Sequence, residues 1–225
     1  MSEENKVDGR YTCTSAVRMP FGNLIIPKAV GRKGKAKGEP KYSGTFTFEP
    51  DAADLKALKA KAAAVAKARW PGRALSELKF PFTDGNKKIE KGIKQAQKEG
   101  KTPRDQSFFK DLVVVDARSK YEPQLAVLKN GVVEAYENDK RALAGAIFYN
   151  GCYVVPSLNF VAYEGQAEDG VGNPDGVTAY LEALLWVKDG PKIGGTTSAA
   201  ETFSGWAGTV TDENPGTDND DEISF

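Results

Sequence analysis

The sequence predicts a mainly β protein: an OB-like five-stranded Greek-key barrel, with a helix between strands 2 and 3 and a disordered acidic C-terminal tail. Three observations lead there. Several segments alternate apolar and polar residues with the period of two that half-buried strands need, whereas one Ala- and Leu-rich stretch repeats with the period of a helix. From Gly194 onward the chain is Gly, Ser, Thr and acid, too polar to offset the entropy of ordering it.

Residues 11–19 combine β-branched side chains with period two and read as the first strand, ended by Pro20, Phe21 and Gly22. A loop rich in Gly and Lys follows. It returns into residues 41–48, whose alternation puts Phe46 and Phe48 on one face, so the pair reads as a basic hairpin.

Pro50 and Asp51 open the helix, with Asp51 as N-cap, Leu55, Leu58, Ala62 and Val65 at helical spacing, and Trp70, Pro71 and Gly72 as the stop. Residues 84–103 are polar and Lys-rich, an exposed excursion with at most a short helix. The run from Asp111 to Asp116 has the β-branching of a buried strand. Asn150 and Gly151 form a turn dipeptide between residues 146–149 and 152–163, a second hairpin. Val177 to Lys188 alternates again and reads as the last strand. The division that follows is a barrel domain over 1–193 and an interaction tail over 194–225.

Composition narrows the chemistry. The 225 residues contain no histidine, which removes the commonest general base, the commonest zinc ligand and every Ser-His or Cys-His pair. Cys13 and Cys152 are too few and too far apart for a disulfide scaffold or a metal motif, and read as two reduced, buried thiols. No run approaches the ~20 apolar residues of a spanning helix, and the first residues lack the order of a secretory signal. The expectation is a soluble, intracellular protein with no catalytic residue, no metal and no cofactor.

The net charge of zero hides an asymmetry. From Arg18 to Lys110 there are 22 Lys and Arg against 9 Asp and Glu, while after Lys192 there are 7 acids and no base. A basic body with an acidic tail is an interaction pattern.

The last six residues carry the sharpest motif: Asp220, Asp221, Glu222, Ile223, Ser224, Phe225. They resemble the C-terminal tip of bacterial single-stranded DNA-binding proteins, with Ser224 where that family usually has Pro. The body is similar to the phage branch of these proteins in three blocks, Leu112 to Lys120, Asn150 to Tyr163, and Gly176 to Gly190 with Gly194 and Gly195. The resemblance implies an OB-fold, sequence-tolerant protector of single strands during replication, recombination or repair in the cytoplasm of the infected bacterial host. It also implies that Asp220, Asp221, Glu222, Ile223 and Phe225 recruit replication or recombination proteins, and weak self-association is a further expectation.

Such a groove needs cations for phosphates and rings on which bases stack. Arg32, Lys33, Lys35, Lys37 and Lys41 sit on the first hairpin loop, which borders the binding face in OB folds, with Arg18 at the head of the basic stretch. Arg118 and Lys120 lie in the first matching block. On the long strand Cys152, Val154, Leu158 and Phe160 form the apolar set, leaving Tyr153 and Tyr163 on the polar face as stacking platforms. Tyr42 and Tyr149 are weaker candidates, whereas Phe46, Phe48 and Phe160 belong to the core, the default also for Trp70 and Trp186.

The rival readings have less behind them. Gly31 to Lys37 lacks phosphate-loop spacing, and the 169–176 loop has Val171 where a calcium ligand is required. A metal-dependent nuclease would rest on Asp111 and Asp116 alone, two acids at strand ends that are usually solvated. An architectural duplex binder would use the same basic surplus.

Overall fold

The period-two segments do become strands, and five of them close a ring. The computed structural model describes residues 7–29, 38–136, 144–165, 167–168, 171–172 and 174–194, with backbone alone for 167–168 and 171–172. In chain order the elements are β1 (Arg10–Thr12), β2 (Val17–Lys28), β3 (Lys41–Phe48), α1 (Ala53–Arg69), β4 (Phe82–Asp84), α2 (Gly85–Lys98), β5 (Val113–Ser119), β6 (Gln124–Lys129), β7 (Val132–Ala135), α3 (Ala144–Ile147), β8 (Tyr153–Tyr163), β9 (Ala167–Glu168), β10 (Val171–Gly172) and β11 (Gly176–Lys188).

Around the ring β2 pairs β3, β3 pairs β5, β5 pairs β11, β11 pairs β8, and β8 returns to β2. Every contact is antiparallel except β5 with β11, which meet in parallel at Ala117 and Ala179. A parallel contact between the third and fifth strands of a closed five-stranded ring is the OB arrangement, and α1 lies between its second and third strands as the sequence predicts. The remaining strands are additions: β1 extends β8, β4 pairs β5, the β6–β7 hairpin continues beside β11, and β9 and β10 pair with each other in a separate two-stranded sheet.

Inward-facing residues fill the barrel. Phe46, Phe48, Val115, Leu158, Phe160 and Leu181 are almost completely buried, and α1 adds Leu55, Leu58, Ala62 and Val65 to the same core. Each such Phe or Leu removes enough apolar surface from water to contribute roughly 1.5–3 kcal/mol. Both cysteines are free and buried. Burial pushes the Cys13 and Cys152 thiols up to about 12, so at neutral pH neither is a thiolate nucleophile. Among the described residues no helix is long and apolar enough to cross a membrane.

Four local expectations are corrected. Pro20, Phe21 and Gly22 do not end a strand: β2 runs to Lys28, and its register against β3 shifts between Arg18 and Phe21, so Pro20, which has no N–H to donate, falls where the ladder is irregular. Asp51 is not the helix cap. Ala52 holds that position with no side-chain bond, because residues 49–52 first form a turn in which the Ala52 amide donates to the Glu49 carbonyl at 3.1 Å. The excursion at 84–103 is mostly α2, fourteen residues long, capped by Asp84, whose carboxylate accepts from the Lys87 amide at 3.0 Å. Finally, Asn150 and Gly151 do not close a hairpin, since residues 144–147 are helical. The Asn-Gly hairpin lies instead at Asn130 and Gly131, both with positive φ, 50° and 78°, joining β6 to β7.

Asp54 ties the barrel's entry to α1. This buried carboxylate accepts from the Tyr11 hydroxyl at 2.8 Å, from the Thr14 amide and hydroxyl at 3.0 Å, and from the Ser15 amide at 2.9 Å. Burial alone would raise its pKa, but the Thr14 amide, the Tyr11 hydroxyl and the Ser15 amide hold it below the ordinary value. The same bond raises Tyr11 to about 12.

Candidate nucleic-acid interface

Strand register, rather than sequence distance, decides which side chains share the outer face of the barrel. Tyr153 on β8 pairs with Arg18 on β2, Arg18 with Thr47 on β3, and Thr47 with Val114 on β5. The next row is Phe21, Thr45 and Asp116, the third Asn23, Ser43 and Arg118, and beyond these Lys28 pairs with Lys41. Arg18 and Phe21 are three residues apart and would alternate to opposite faces in a regular strand. The register shift between them returns Phe21 to the side of Arg18.

One end of this face is cationic. Lys28, Lys41, Ser43 and Arg118 line a small open pocket of about 130 Å³ together with Gly38 and Glu39. Lys28, Lys41 and Arg118 make no ion pair among the described residues, and Lys41 is near enough to Glu39 to help lower its pKa. Lys120 is engaged: its ammonium lies 2.6 Å from Glu39, whose hydrogen bond raises the Lys120 pKa while lowering its own. This pair is exposed and exchanges readily with another anion.

The middle of the face carries rings. Phe21, 38% exposed, meets Phe108 edge-on at 5.6 Å and Phe109 at 6.0 Å between ring centroids. The Lys88 ammonium from α2 sits 5.0 Å from the Phe109 centroid and donates to Asp116 at 2.8 Å, and Asp116 also accepts from the Thr45 hydroxyl at 2.7 Å. That network fixes the aromatic cluster against the strands. Gly85 permits it, since a Cβ there would lie 1.9 Å from the Phe109 carbonyl oxygen.

The far row is aromatic and cationic together. Lys188 lies 4.9 Å over the Tyr153 ring, and Arg18 donates from Nη2 to the Pro191 carbonyl at 2.9 Å, its Nε buried without a partner. Tyr149 is close by but tied down. Its hydroxyl donates to the Gly190 carbonyl at 2.8 Å and accepts from the Gly190 amide at 2.9 Å, and burial raises its pKa. Lys192 lies 5.7 Å from that ring.

The structure therefore brings Arg18, Tyr153, Lys41 and Arg118 onto one face and places Tyr149 and Lys120 at its borders. Tyr163 is elsewhere. It ends β8 ten residues after Tyr153, roughly 33 Å along an extended strand, and burial followed by Asp175 raises its pKa. Tyr42 has the parity of Gly44, Phe46 and Phe48, the core side of β3. Arg32, Lys33, Lys35 and Lys37 belong to the β2–β3 connection, and Asp220, Asp221, Glu222, Ile223 and Phe225 to the tail; both groups lie outside the described residues.

Sequence reasoning missed Phe21, Phe108, Lys28, Lys188 and Lys88 of α2. Only the adjacent Phe108 and Phe109 in a polar stretch gave a signal for the aromatic cluster, and nothing in the sequence reveals the bulge that turns Phe21 outward.

Fold and face together define an OB barrel whose outer surface carries cations that make no ion pair among the described residues, beside the partly exposed rings of Phe21 and Tyr153. The chain belongs to the family described as Enterobacter phage Enc34, ssDNA-binding protein, whose model matches residues 11–215. The single-stranded DNA-binding protein from bacteriophage Enc34, solved in complex with ssDNA, is similar at a TM-score of 0.58 with 21% identity, over 86% of this chain and 97% of that one. Another structure of the Enc34 protein aligns at a TM-score of 0.56 with 20% identity, over 90% and 97%. The gp2.5 single-stranded DNA-binding protein of bacteriophage T7 aligns at 0.47 with 12% identity, over 94% and 100%. At 20–21% identity the likeness to the two Enc34 structures establishes the fold. No curated protein matches the chain.

Proposed function

We propose that the protein binds single-stranded DNA with little sequence preference across the outer face of β8, β2, β3 and β5, protecting it during phage replication, recombination or repair in the cytoplasm of the infected host. It acts by binding, with no chemical step. The observation that carries this reading is the row register, which aligns Tyr153 and Phe21 with the cationic pocket of Lys28, Lys41 and Arg118. Membership of a family described by single-stranded DNA binding supports it. Rings stack on any base, so the site is tolerant of sequence, and cations track the backbone.

The test is aromatic removal. Tyr153→Ala and Phe21→Ala should each weaken single-strand binding by about 1 to 3 kcal/mol with the thermal midpoint little changed, because both rings are partly exposed. Unchanged affinity in both variants would place the strand on another face.

On this reading residues 1–193 form a binding domain and residues 194–225 an interaction tail. Residues 212–222 hold six acids and no base and are followed by Ile223 and Phe225, a composition suited to mimic a nucleic-acid strand and to seat Ile223 and Phe225 in a partner's apolar pocket. Deleting 212–225 should tighten DNA binding and abolish association with replication or recombination proteins, while Phe225→Ala should lose the partner alone. Capture of the same partner by the truncated chain would contradict recruitment.

A further inference from the structure

The helix α2 presents a feature that the barrel face does not use. Lys87, Lys91, Lys94 and Lys98 follow one another at spacings of four, three and four residues, so at 100° per residue they fall within a narrow arc and form a row roughly 16 Å long. All four are exposed, and none makes an ion pair among the described residues. Glu90 and Gln95 flank the row in the shallow groove that it lines, so four positive charges meet one negative.

The opposite side of α2 is the docked one. Ile89, Gly92 and Ala96 are half-buried there, and a Cβ on Gly92 would lie 2.7 Å from the Gln106 side-chain oxygen. The row is therefore held outward by a helix fixed at its first turn through the Asp84 cap and the Lys88–Asp116 bond. A helix face serving solubility alone gains from alternating signs at i, i+4. Here like charges occupy i, i+4 twice, which weakens the helix unless an anion offsets them. Lys88, next to Lys87, reaches the Phe109 ring and Asp116, so the row begins where the aromatic cluster of the candidate face ends.

We infer that a single strand held on the barrel face continues onto α2, where Lys87, Lys91, Lys94 and Lys98 bind its phosphates as a second segment of the site. The inference rests on the binding reading above and adds an extension that only longer strands reach. The lysines neutralise backbone charge and release counterions, so the extension reads no sequence.

The test compares oligonucleotides of about 10 nucleotides, within what one OB barrel covers, with oligonucleotides of about 30, on the full-length chain and on a Lys87→Ala, Lys91→Ala, Lys94→Ala, Lys98→Ala variant. The variant should bind the longer strand roughly ten- to a hundredfold more weakly, with a salt slope shallower by about 2 to 3, and bind the shorter strand as before. A set of Lys→Gln substitutions at the same positions should behave alike, and circular dichroism should report an unchanged fold. Equal loss at both lengths, or none at either, overturns the extension while leaving the barrel site standing. Tighter binding by the variant also overturns it, by showing that the row holds an acidic competitor such as the tail. Failure of the unmodified chain to bind either strand removes the binding reading itself, and the extension with it.

Discussion

Asp54→Ala is expected to destabilise the protein by on the order of 3 kcal/mol, about 6–12 °C in thermal midpoint for a domain of this size. The carboxylate is buried and serves the Tyr11 hydroxyl and the Thr14 and Ser15 amides at once. Alanine leaves those donors without a partner, which costs more than the bonds themselves contribute. The effect should reach the outer face of the barrel, because residues 11–15 lead into β2, which carries Arg18. The pH dependence follows from the lowered pKa. Stability from Asp54 is fully present above its unfolded value, near 3.9, and is lost as pH falls through the lower folded value. Thermal melts of the unmodified chain and of Asp54→Asn should therefore differ at neutral pH and converge below about pH 4. A constant difference down to pH 2 would contradict the assignment.

Lys41→Glu combined with Arg118→Glu is expected to weaken single-strand binding by roughly fiftyfold or more near 0.1 M salt, the larger effect at lower salt. The two side chains line one pocket with Lys28, and neither makes an ion pair among the described residues. Reversal removes two cations and adds two repulsive charges where a phosphate would lie. The salt slope should fall by at least about 1.4, the contribution of two phosphate contacts on a single strand. Unaltered affinity, measured alongside an unaltered melt, would show that the pocket is not on the strand's path.

Much of this architecture was legible because burial writes itself into side-chain periodicity. The alternation of residues 152–163 placed Val154, Leu158 and Phe160 inside and Tyr153 outside, as the structure has them. The spacing of Leu55, Leu58, Ala62 and Val65 located the buried stripe of α1. What periodicity cannot carry is a change of phase. The shift between Arg18 and Phe21 moves an apparent strand terminator onto the outer face of the barrel, and only the pairing with β3 discloses it.

Turn chemistry proved ambiguous for a related reason. Asn130-Gly131 and Asn150-Gly151 are the same dipeptide, yet only the former has both residues at positive φ between two strands. The latter follows a short helix, and its Asn150 side chain accepts from the Gly22 amide at 3.1 Å, a long-range bond that local sequence does not contain. For α2 both signals were present in the sequence, the cap at Asp84 and the helical spacing of Ile89, Ile93 and Ala96, but three apolar residues in a Lys-rich stretch were outweighed by its polar composition. The cationic pocket, likewise, assembles Lys28, Lys41 and Arg118 from three strands, and only Lys41 and Arg118 drew attention in the sequence.

If the outer face of the barrel holds a single strand by phosphate neutralisation and base stacking, as we propose, titration of the protein with one oligonucleotide and with its duplex, across a series of salt concentrations, should separate the two. Tighter binding of the single strand is expected at every salt concentration, with affinity falling steeply and linearly on logarithmic axes as salt rises. Preference for the duplex, or an affinity indifferent to salt, would contradict it.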